Sequence, residues 1–374
     1  MWILAFKNLI HDRIRLAITL TGITFSVTLI LIQVGMFFGM TSNSSTVIEH
    51  SEGDLWIMAR NSQNFDMVNP FPETLVTAAR SVPGVEWAEN LIQQWAYVRL
   101  KDGGTEQIEI IGFDLNGKVG RPWNLQQGNV HDLRGTDSII VDRTSFSRLG
   151  ILKVGESREV VRKKVRIVGI TEGINSFTTA PYIFTSFESA QGIVPEQLAG
   201  KTTYIVAKVA PGFSMEKVRA ELQLRFKNYD VRSTKDWVKK TRDYWTWQTG
   251  IGAGFFGNAL MGFIVGLVIV SQTIYSATVD HIREYGTLKA IGAKNSHVYS
   301  VILQQAGISA GAGFLFAIVI QRIVLLIKPI TMQIADPPSL YVVTFAVTLF
   351  MCGLAALISV RKVANIDPVE VFKG

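Results

Sequence analysis

Residues 244–279 read YWTWQTGIGAGFFGNALMGFIVGLVIVSQTIYSATV and contain no aspartate, glutamate, lysine or arginine. About 20 apolar residues are enough for a helix to cross the hydrocarbon core of a bilayer, so this stretch is long enough to span a membrane. Three further stretches are equally free of these residue types and are also long enough, namely 16–48, 298–321 and 337–360. We therefore predict four membrane-spanning helices.

The region between the first two spans, residues 41–250, has the composition of a soluble domain and is long enough for one good-sized domain or two small ones. Helical periodicity is present at 72–80 and 214–226. Runs rich in β-branched and aromatic residues predict strands at 55–59, 95–100, 107–112, 138–141, 160–170, 182–185 and 204–209. The predicted fold class is therefore a membrane α-helical protein with four transmembrane helices and an α+β extracytoplasmic domain inserted between helices 1 and 2.

The distribution of charge predicts the topology. The net charge is +7, but residues 41–250 contain 26 basic and 24 acidic side chains, so the excess does not mark a nucleic-acid-binding surface and we expect no nucleic acid partner. Basic residues cluster instead beside the spans, and positive charge marks cytoplasmic segments of membrane proteins. Both termini and the segment 280–297 are therefore predicted to be cytoplasmic. The basic residues beside the spans are Lys7, Arg13, Arg15, Arg283, Lys289, Lys294, Arg361, Lys362 and Lys373.

These observations divide the chain into nine predicted segments. Four are the transmembrane helices, two are extracytoplasmic and three are cytoplasmic. In chain order they are a cytoplasmic amphipathic helix 1–15, transmembrane helix 1 at 16–40, the extracytoplasmic domain with its stalk 41–250, transmembrane helix 2 at 251–279, a cytoplasmic segment 280–297, transmembrane helix 3 at 298–327, a short extracytoplasmic loop 328–337, transmembrane helix 4 at 338–360 and a cytoplasmic tail 361–374.

The end of the extracytoplasmic domain is rich in aromatic residues. We predict a helical stalk that runs from Asp236 to the second span. Aromatic side chains collect at membrane–water interfaces, so this pattern places them at the membrane surface. The residues concerned are Trp237, Tyr244, Trp245 and Trp247.

The sequence contains no convincing catalytic or nucleotide site. Residues 112–118, GFDLNGK, imitate a phosphate-binding loop, but Val119 follows where serine or threonine is needed, and Pro122 disfavours the required helix. The five histidines lack metal-ligand spacing, and no nucleophile-elbow motif occurs. We therefore predict a chain that is not an enzyme and holds no cofactor. Because the spans contain almost no ionisable side chains, an ion-driven carrier is disfavoured and an external energy source is favoured.

Glycines recur four residues apart in three of the spans. Small residues at this spacing allow helices to approach closely in lipid. We predict that these glycines pack helices together, within the chain or against a second copy. They are Gly35 and Gly39, Gly262 and Gly266, and Gly307 and Gly311.

The cytoplasmic segment after the second span begins DHIREYGTLKAIGA, residues 280–293. It is a short amphipathic element whose apolar side chains could dock into a groove of another protein. An ordinary charged loop that ends the span would have a similar composition. Composition alone leaves both interpretations open.

This segment resembles the coupling motif of FtsX/MacB-like ABC transporter permeases, whose pattern is approximately Arg-Glu-hydrophobic-Gly-x-Leu-Lys/Arg-Ala-hydrophobic-Gly-Ala. Weaker similarity to the family follows in the right order along the chain at 82–85, 139–142 and 366–370, and the single-loop layout is closest to DevC-like permeases. The residues that match the motif are Arg283, Glu284, Gly286, Leu288, Lys289, Ala290, Gly292 and Ala293.

The resemblance implies a homodimeric permease in a bacterial inner membrane. Two copies of a separate cytoplasmic ATPase, which bind ATP and magnesium, would contact the matching residues. It also implies export by mechanotransmission, with a periplasmic membrane-fusion adaptor, an outer-membrane channel, contact with membrane lipid, and an amphiphilic or lipid-like substrate.

Two alternatives stay open. The first is a family member that does not transport but signals across the membrane to activate a periplasmic partner. The second is a membrane-anchored receptor without an ATPase.

Overall fold

The structure, a computed structural model, describes residues 2–151, 153–178, 180–291, 293–327 and 333–364. Gly292 and the similarity at 366–370 lie outside the described residues, as do most of the predicted tail and residues 328–332 of the predicted short loop. The chain divides into two compact units, Met40–Ile251 and a second unit made of Met1–Gly39 with Gly252–Gly374.

Helices account for most of the second unit and for part of the first. In chain order the α-helices are α1 Trp2–His11, α2 Arg13–Asn43, α3 Thr46–Glu49, α4 Leu75–Arg80, α5 Phe146–Leu149, α6 Phe187–Ile193, α7 Pro195–Leu198, α8 Met215–Arg225, α9 Thr234–Asp243, α10 Ile251–Asp280, α11 Ile282–Ala290, α12 Asn295–Ile327 and α13 Pro338–Ala364.

Four helices of the described chain are long and apolar enough to cross a membrane, and they correspond to the four predicted spans. Their spanning portions are Arg13–Asn43, Ile251–Asp280, Tyr299–Ile327 and Pro338–Ser359. Each buries a narrow stripe against its neighbours and exposes the rest of its apolar surface, as expected of a helix surrounded by lipid. In α2 the stripe runs through Ile23, Val27 and Leu31, all fully buried at a spacing of four.

Strands form the framework of the extracytoplasmic unit. In chain order they are β1 Leu55–Ala59, β2 Phe71–Pro72, β3 Val85–Arg99, β4 Thr105–Phe113, β5 Leu125–Gln127, β6 Ser138–Asp142, β7 Ser157–Val160, β8 Lys163–Thr171, β9 Tyr182–Ser186, β10 Lys201–Thr202, β11 Tyr204–Val209 and β12 Tyr229–Ser233.

Ten of these strands form one mixed sheet in the order β12-β1-β11-β3-β4-β9-β6-β8-β5, and β7 pairs with β3 and β8. The pairs β4–β9 and β6–β8 are parallel, and the other pairs of the sheet are antiparallel. The sheet is covered on both faces. Ile111 of β4 joins one buried apolar cluster with Trp56 and Trp237, whereas its neighbour Ile110 joins another. The predicted mixture of strands and helices between the first two spans is thereby confirmed.

Two local predictions were wrong. The run 160–170 is not one strand, because the chain reverses at Val161 and Arg162, which have φ of 46° and 65°, and forms the β7–β8 hairpin. Trp237 and Trp245 are not membrane-interface residues, since they are 0% and 8% exposed inside the extracytoplasmic unit. The predicted stalk is α9 followed by a π-helical turn, Tyr244–Gln248, and α10 begins only after Gly250, which has φ of 76°.

Candidate functional site

The segment that follows the second span forms a short helix. α10 ends at Asp280, α11 covers Ile282–Ala290, and α12 starts at Asn295. The helix is continued by a bond from the backbone nitrogen of Ile291 to the carbonyl oxygen of Thr287, at 3.1 Å. The segment is therefore a helical element of its own between two long helices rather than an irregular loop.

The described residues of the predicted motif differ in their exposure to solvent. Arg283 and Glu284 are exposed, whereas Gly286 is buried and Ala293 is half-buried. Ile291, at the second hydrophobic position of the motif, is 79% exposed. Arg283, Glu284 and Ile291 are therefore among the side chains of this segment that are exposed and available to contact another protein. The backbone of Leu288, Lys289 and Ala290 lies in α11, but their side chains are outside the described part of the chain.

Ionic contacts that the sequence analysis missed hold the start of this element. Arg15 of α2 forms an ion pair with Asp280, the last residue of α10, and its Nη1 lies 3.4 Å from Oδ2 of Asp12. Asp12 also caps α2, because its Oδ1 accepts a bond from the backbone nitrogen of Arg15 at 3.0 Å. A partly exposed ion pair contributes only about 0–1 kcal/mol to stability, so this pair is better suited to positioning the helix ends than to holding the fold together.

A second contact lies at the first turn of α11. Nδ1 of His281 is 2.9 Å from Oε1 of Glu284, three residues further on. Glu284 keeps a side-chain exposure of 58%, so this contact orients its carboxylate without burying it. The sequence signal for both contacts was the presence of charged or titratable residues directly before or after a long charge-free span.

The six predicted packing glycines separate into two groups. A Cβ atom at Gly35 or Gly39 would lie within 3 Å of the backbone of residues 333–335, and one at Gly262 or Gly266 would contact side chains of α2. These four therefore permit close packing inside the chain. A Cβ at Gly307 or Gly311 would have no atom within 4 Å among the described residues.

The segment that imitates a phosphate-binding loop is closed by a carboxylate of the chain itself. Oε2 of Glu89 accepts bonds from the backbone nitrogens of Lys118, at 2.8 Å, and Val119, at 3.1 Å. A phosphate-binding loop needs such nitrogens to face the phosphates. The backbone donors are occupied here, and a second carboxylate, Asp114, lies in the same turn and accepts a bond from Asn116.

Comparison with known proteins gives two family matches that together cover most of the chain. Residues 16–224 match the MacB-like periplasmic core domain, and residues 256–368 match the FtsX-like permease C-terminal domain. The first match alone covers more than half of the chain.

Several curated relatives are similar over most or part of the chain. An uncharacterised ABC transporter permease of Mycobacterium tuberculosis is 21% identical over 375 residues and covers 99% of both chains. One of Methanocaldococcus jannaschii is 19% identical over 401 residues, covering 99% of this chain and 96% of the relative. A putative hemin transport system permease protein, HrtB of Staphylococcus haemolyticus, is 30% identical over 112 residues, which are 30% of this chain and 32% of the relative.

Among solved structures, the periplasmic region of MacB from Actinobacillus actinomycetemcomitans aligns with a TM-score of 0.38 at 9% identity, covering 52% of this chain and 94% of that one. The family matches confirm the predicted family and the predicted α+β domain between the first and second spans. The chain is a member of the MacB/FtsX-like family of ABC transporter permeases, a multi-pass membrane protein with a periplasmic domain.

Proposed function

We propose that this permease is the membrane subunit of an ATP-driven exporter that works by mechanotransmission. The observation that carries the proposal is the exposed surface of the short element between two membrane helices, with Arg283 and Glu284 in α11 and Ile291 directly after its last residue. A permease of this family has no ATPase domain of its own, so it needs an ATPase partner. ATP and magnesium are then bound by that partner, and this chain needs no cofactor.

The proposed arrangement follows from the position of α11 in the chain. Both termini and residues 280–297 lie on the cytoplasmic side of a bacterial inner membrane. Segments with an excess of lysine and arginine remain on that side. Two copies of the chain form the working dimer, with one ATPase subunit below each. Movement of α11 on ATP binding passes to α10 directly and to α2 through the Arg15–Asp280 ion pair.

The proposed substrate is amphiphilic or lipid-like and is taken up from the periplasm or the outer leaflet. Periplasmic partners, an adaptor and an outer-membrane channel, complete the path out of the cell. The name of the staphylococcal relative refers to hemin, which is itself amphiphilic, and this supports the same substrate class.

The proposal predicts that Glu284→Ala weakens ATPase binding while the permease stays folded. A side chain at the centre of a small interface contributes about 2 kcal/mol, so we expect roughly 30-fold weaker binding of the ATPase and a matching loss of coupled ATP hydrolysis. The measurement is ATPase binding and hydrolysis with the permease in lipid nanodiscs.

Glu216→Ala is the matched control. Glu216 and Glu284 are both exposed and both pair with a residue three positions away, at 2.8 and 2.9 Å, but Glu216 lies in α8 of the periplasmic domain. We expect the control to bind the ATPase normally. Equal binding by the two variants would contradict the assignment of α11 as the docking element.

A further inference from the structure

Two carboxylic acids are buried together in the periplasmic domain. Glu109 lies in the centre of β4, opposite Trp95 of β3 and Tyr182 of β9, and is 0% exposed. Asp66 lies in the loop that follows β1 and is 1% exposed. Buried acids are uncommon unless a cation or hydrogen bonds compensate for the lost hydration, so this pair requires an explanation.

The loop that carries Asp66 is fastened to the sheet at Asp66 and at the residue before it. Nε1 of Trp95 donates to the carbonyl oxygen of Asp66 at 2.7 Å, and the hydroxyl of Tyr204 donates to the carbonyl oxygen of Phe65 at 2.8 Å. Oδ1 of Asn64 accepts from the backbone nitrogen of Asp66 at 2.9 Å. Because Trp95 is the strand partner of Glu109, these bonds place the Asp66 side chain beside Glu109.

The polar contacts of the two carboxyl groups are incomplete. Glu109 accepts at Oε1 from the Thr178 hydroxyl at 2.7 Å and at Oε2 from Nε2 of Gln93 at 3.2 Å. Oδ2 of Asp66 accepts from Nε1 of Trp245 at 3.0 Å. Oδ1 of Asp66 is buried and has no donor among the described residues. An ionised Asp66 would thus leave one charged oxygen without a partner.

Among the residues that the structure describes, the surroundings of the pair contain acids and phenols but no compensating cation. The groups that act on Asp66 and Glu109 are each other and neutral hydrogen-bond donors, and no lysine or arginine of the described chain contributes. The titratable side chains that face the pair from neighbouring strands are Tyr182 of β9 and Tyr204 of β11, and burial raises the pKa of both well above its usual range. Two ionised carboxylates could not be held in this site without severe repulsion.

Burial therefore favours the protonated acids. Loss of hydration raises the pKa of Glu109 to about 7, against the opposing effect of its hydrogen bonds with Thr178, Ser176, Gln93 and Asp66. Loss of hydration and the charge of Glu109 together raise the pKa of Asp66 well above its ordinary value, against the opposing effect of the bond from Trp245.

We propose that Asp66 and Glu109 form a proton-binding site of the periplasmic domain, in which the two carboxyl groups share one proton. Release of this proton to the solvent leaves two adjacent carboxylates, which separate the Asp66 loop from the sheet. Trp245 moves with the loop because its indole is bonded to Asp66, and it belongs to the π-helical turn that precedes α10 in the chain. The site thus makes the order of this turn depend on periplasmic pH.

Because the pKa values of both acids are raised in the folded domain, the stability of the site falls as the pH rises. The folded domain binds protons on this pair of acids more tightly than the unfolded chain, whose glutamate titrates near 4.5. The stabilisation is fully present below that pH and is lost progressively as the pH rises to about 7 and above. Opening of the site is therefore favoured by alkaline and not by acidic conditions.

The test is hydrogen–deuterium exchange of the full-length protein in lipid nanodiscs, followed in peptides that cover residues 60–70 and 240–250. After correction for intrinsic exchange rates, we expect wild-type protection of both peptides to fall at least about tenfold between about pH 5.5 and about pH 8.5. Asp66→Asn retains an acceptor for Trp245 and adds a donor toward Glu109, and Glu109→Gln removes the other acid. Each single variant leaves one buried acid and should show a smaller change of protection with pH than the wild type, whereas the double variant Asp66→Asn/Glu109→Gln should show none.

Trp245→Phe keeps both acids and serves as the control. It should lower protection of the 240–250 peptide at every pH, whereas the 60–70 peptide keeps its pH dependence. The proposal is overturned if the wild type shows no pH dependence, if the double variant retains it, or if Trp245→Phe abolishes it in the 60–70 peptide. Should the double variant fail to fold, Glu109→Gln decides the question alone, because a pH dependence equal to that of the wild type would also overturn the proposal.

Discussion

Gly39→Ala is expected to destabilise the membrane unit strongly, although alanine is the better helix former. A Cβ at this position of α2 would lie 2.7 Å from the carbonyl oxygen of Gln333, 2.9 Å from its carbonyl carbon and 3.1 Å from the nitrogen of Ala335. All three are backbone atoms, so no side-chain rotation can relieve the overlap. Overpacking of this kind costs about 1–3 kcal/mol. The measurement is the thermal unfolding midpoint in detergent, where we expect a loss of about 3–10 °C.

Gly311→Ala is the matched control, because Gly311 also lies inside a long helix but a Cβ there would meet nothing within 4 Å. Without a steric penalty, the higher helix propensity of alanine should leave the midpoint unchanged or raise it by the equivalent of about 1 kcal/mol. Similar midpoints for the two variants would show that α2 does not pack closely against residues 333–335.

Asp142→Ala is expected to have the largest effect in the periplasmic domain. Asp142 ends β6, is 0% exposed, and accepts five bonds, which hold the turn after β6, the last residue of β8 and the chain after β8. The donors are the nitrogen of Thr144 at 2.9 Å and its hydroxyl at 2.7 Å, the Thr171 hydroxyl at 2.9 Å, and the nitrogens of Gly173 at 3.3 Å and Ile174 at 2.9 Å.

Removing the carboxylate leaves several buried donors unpaired, each at a cost of about 1–3 kcal/mol, so we expect a total loss of about 3–5 kcal/mol in the free energy of unfolding. This loss is measured by tryptophan fluorescence during urea unfolding of the full chain. Asp102→Ala is the control, since exposed Asp102 accepts a single backbone bond, from Gly104 at 2.9 Å. Equal losses in the two variants would contradict the role given to Asp142.

The membrane helices and several strands were predictable because each depends on local composition. A charge-free stretch of sufficient length can be accommodated in lipid only as a helix, so the four spans followed directly from the sequence. The strand predicted at 55–59 matches β1, and the helix predicted at 214–226 matches α8 within one residue at either end. Ser214 precedes the first residue of α8, and its side chain makes no capping hydrogen bond.

The β7–β8 hairpin was not predictable because its turn lacks the usual signal. Two-residue hairpin turns with positive φ at both positions usually contain asparagine, aspartate or glycine. Here Val161 and Arg162 occupy them. Their β-propensity and the apolar pattern on either side therefore suggested one continuous strand.

Contacts between distant parts of the chain account for the remaining differences between the predictions and the structure. Arg15 and Asp280 are 265 positions apart, and Asp66 and Trp245 are 179 apart. Nothing in the local sequence around Trp245 reveals a buried acid that accepts a bond from its indole. An aromatic residue next to a membrane span is typical of the interface, and only the tertiary structure shows that it is buried in the periplasmic domain instead.

The most direct test of the proposed function is co-purification of the full-length permease, in lipid nanodiscs, with the ABC ATPase encoded nearest to it. ATP hydrolysis by that ATPase is then measured with and without the permease. We predict a stable complex containing two copies of each chain and a rate of hydrolysis that changes when the permease is present. A folded permease that forms no complex and leaves hydrolysis unchanged would contradict the proposal and would favour a membrane-anchored receptor that works without an ATPase.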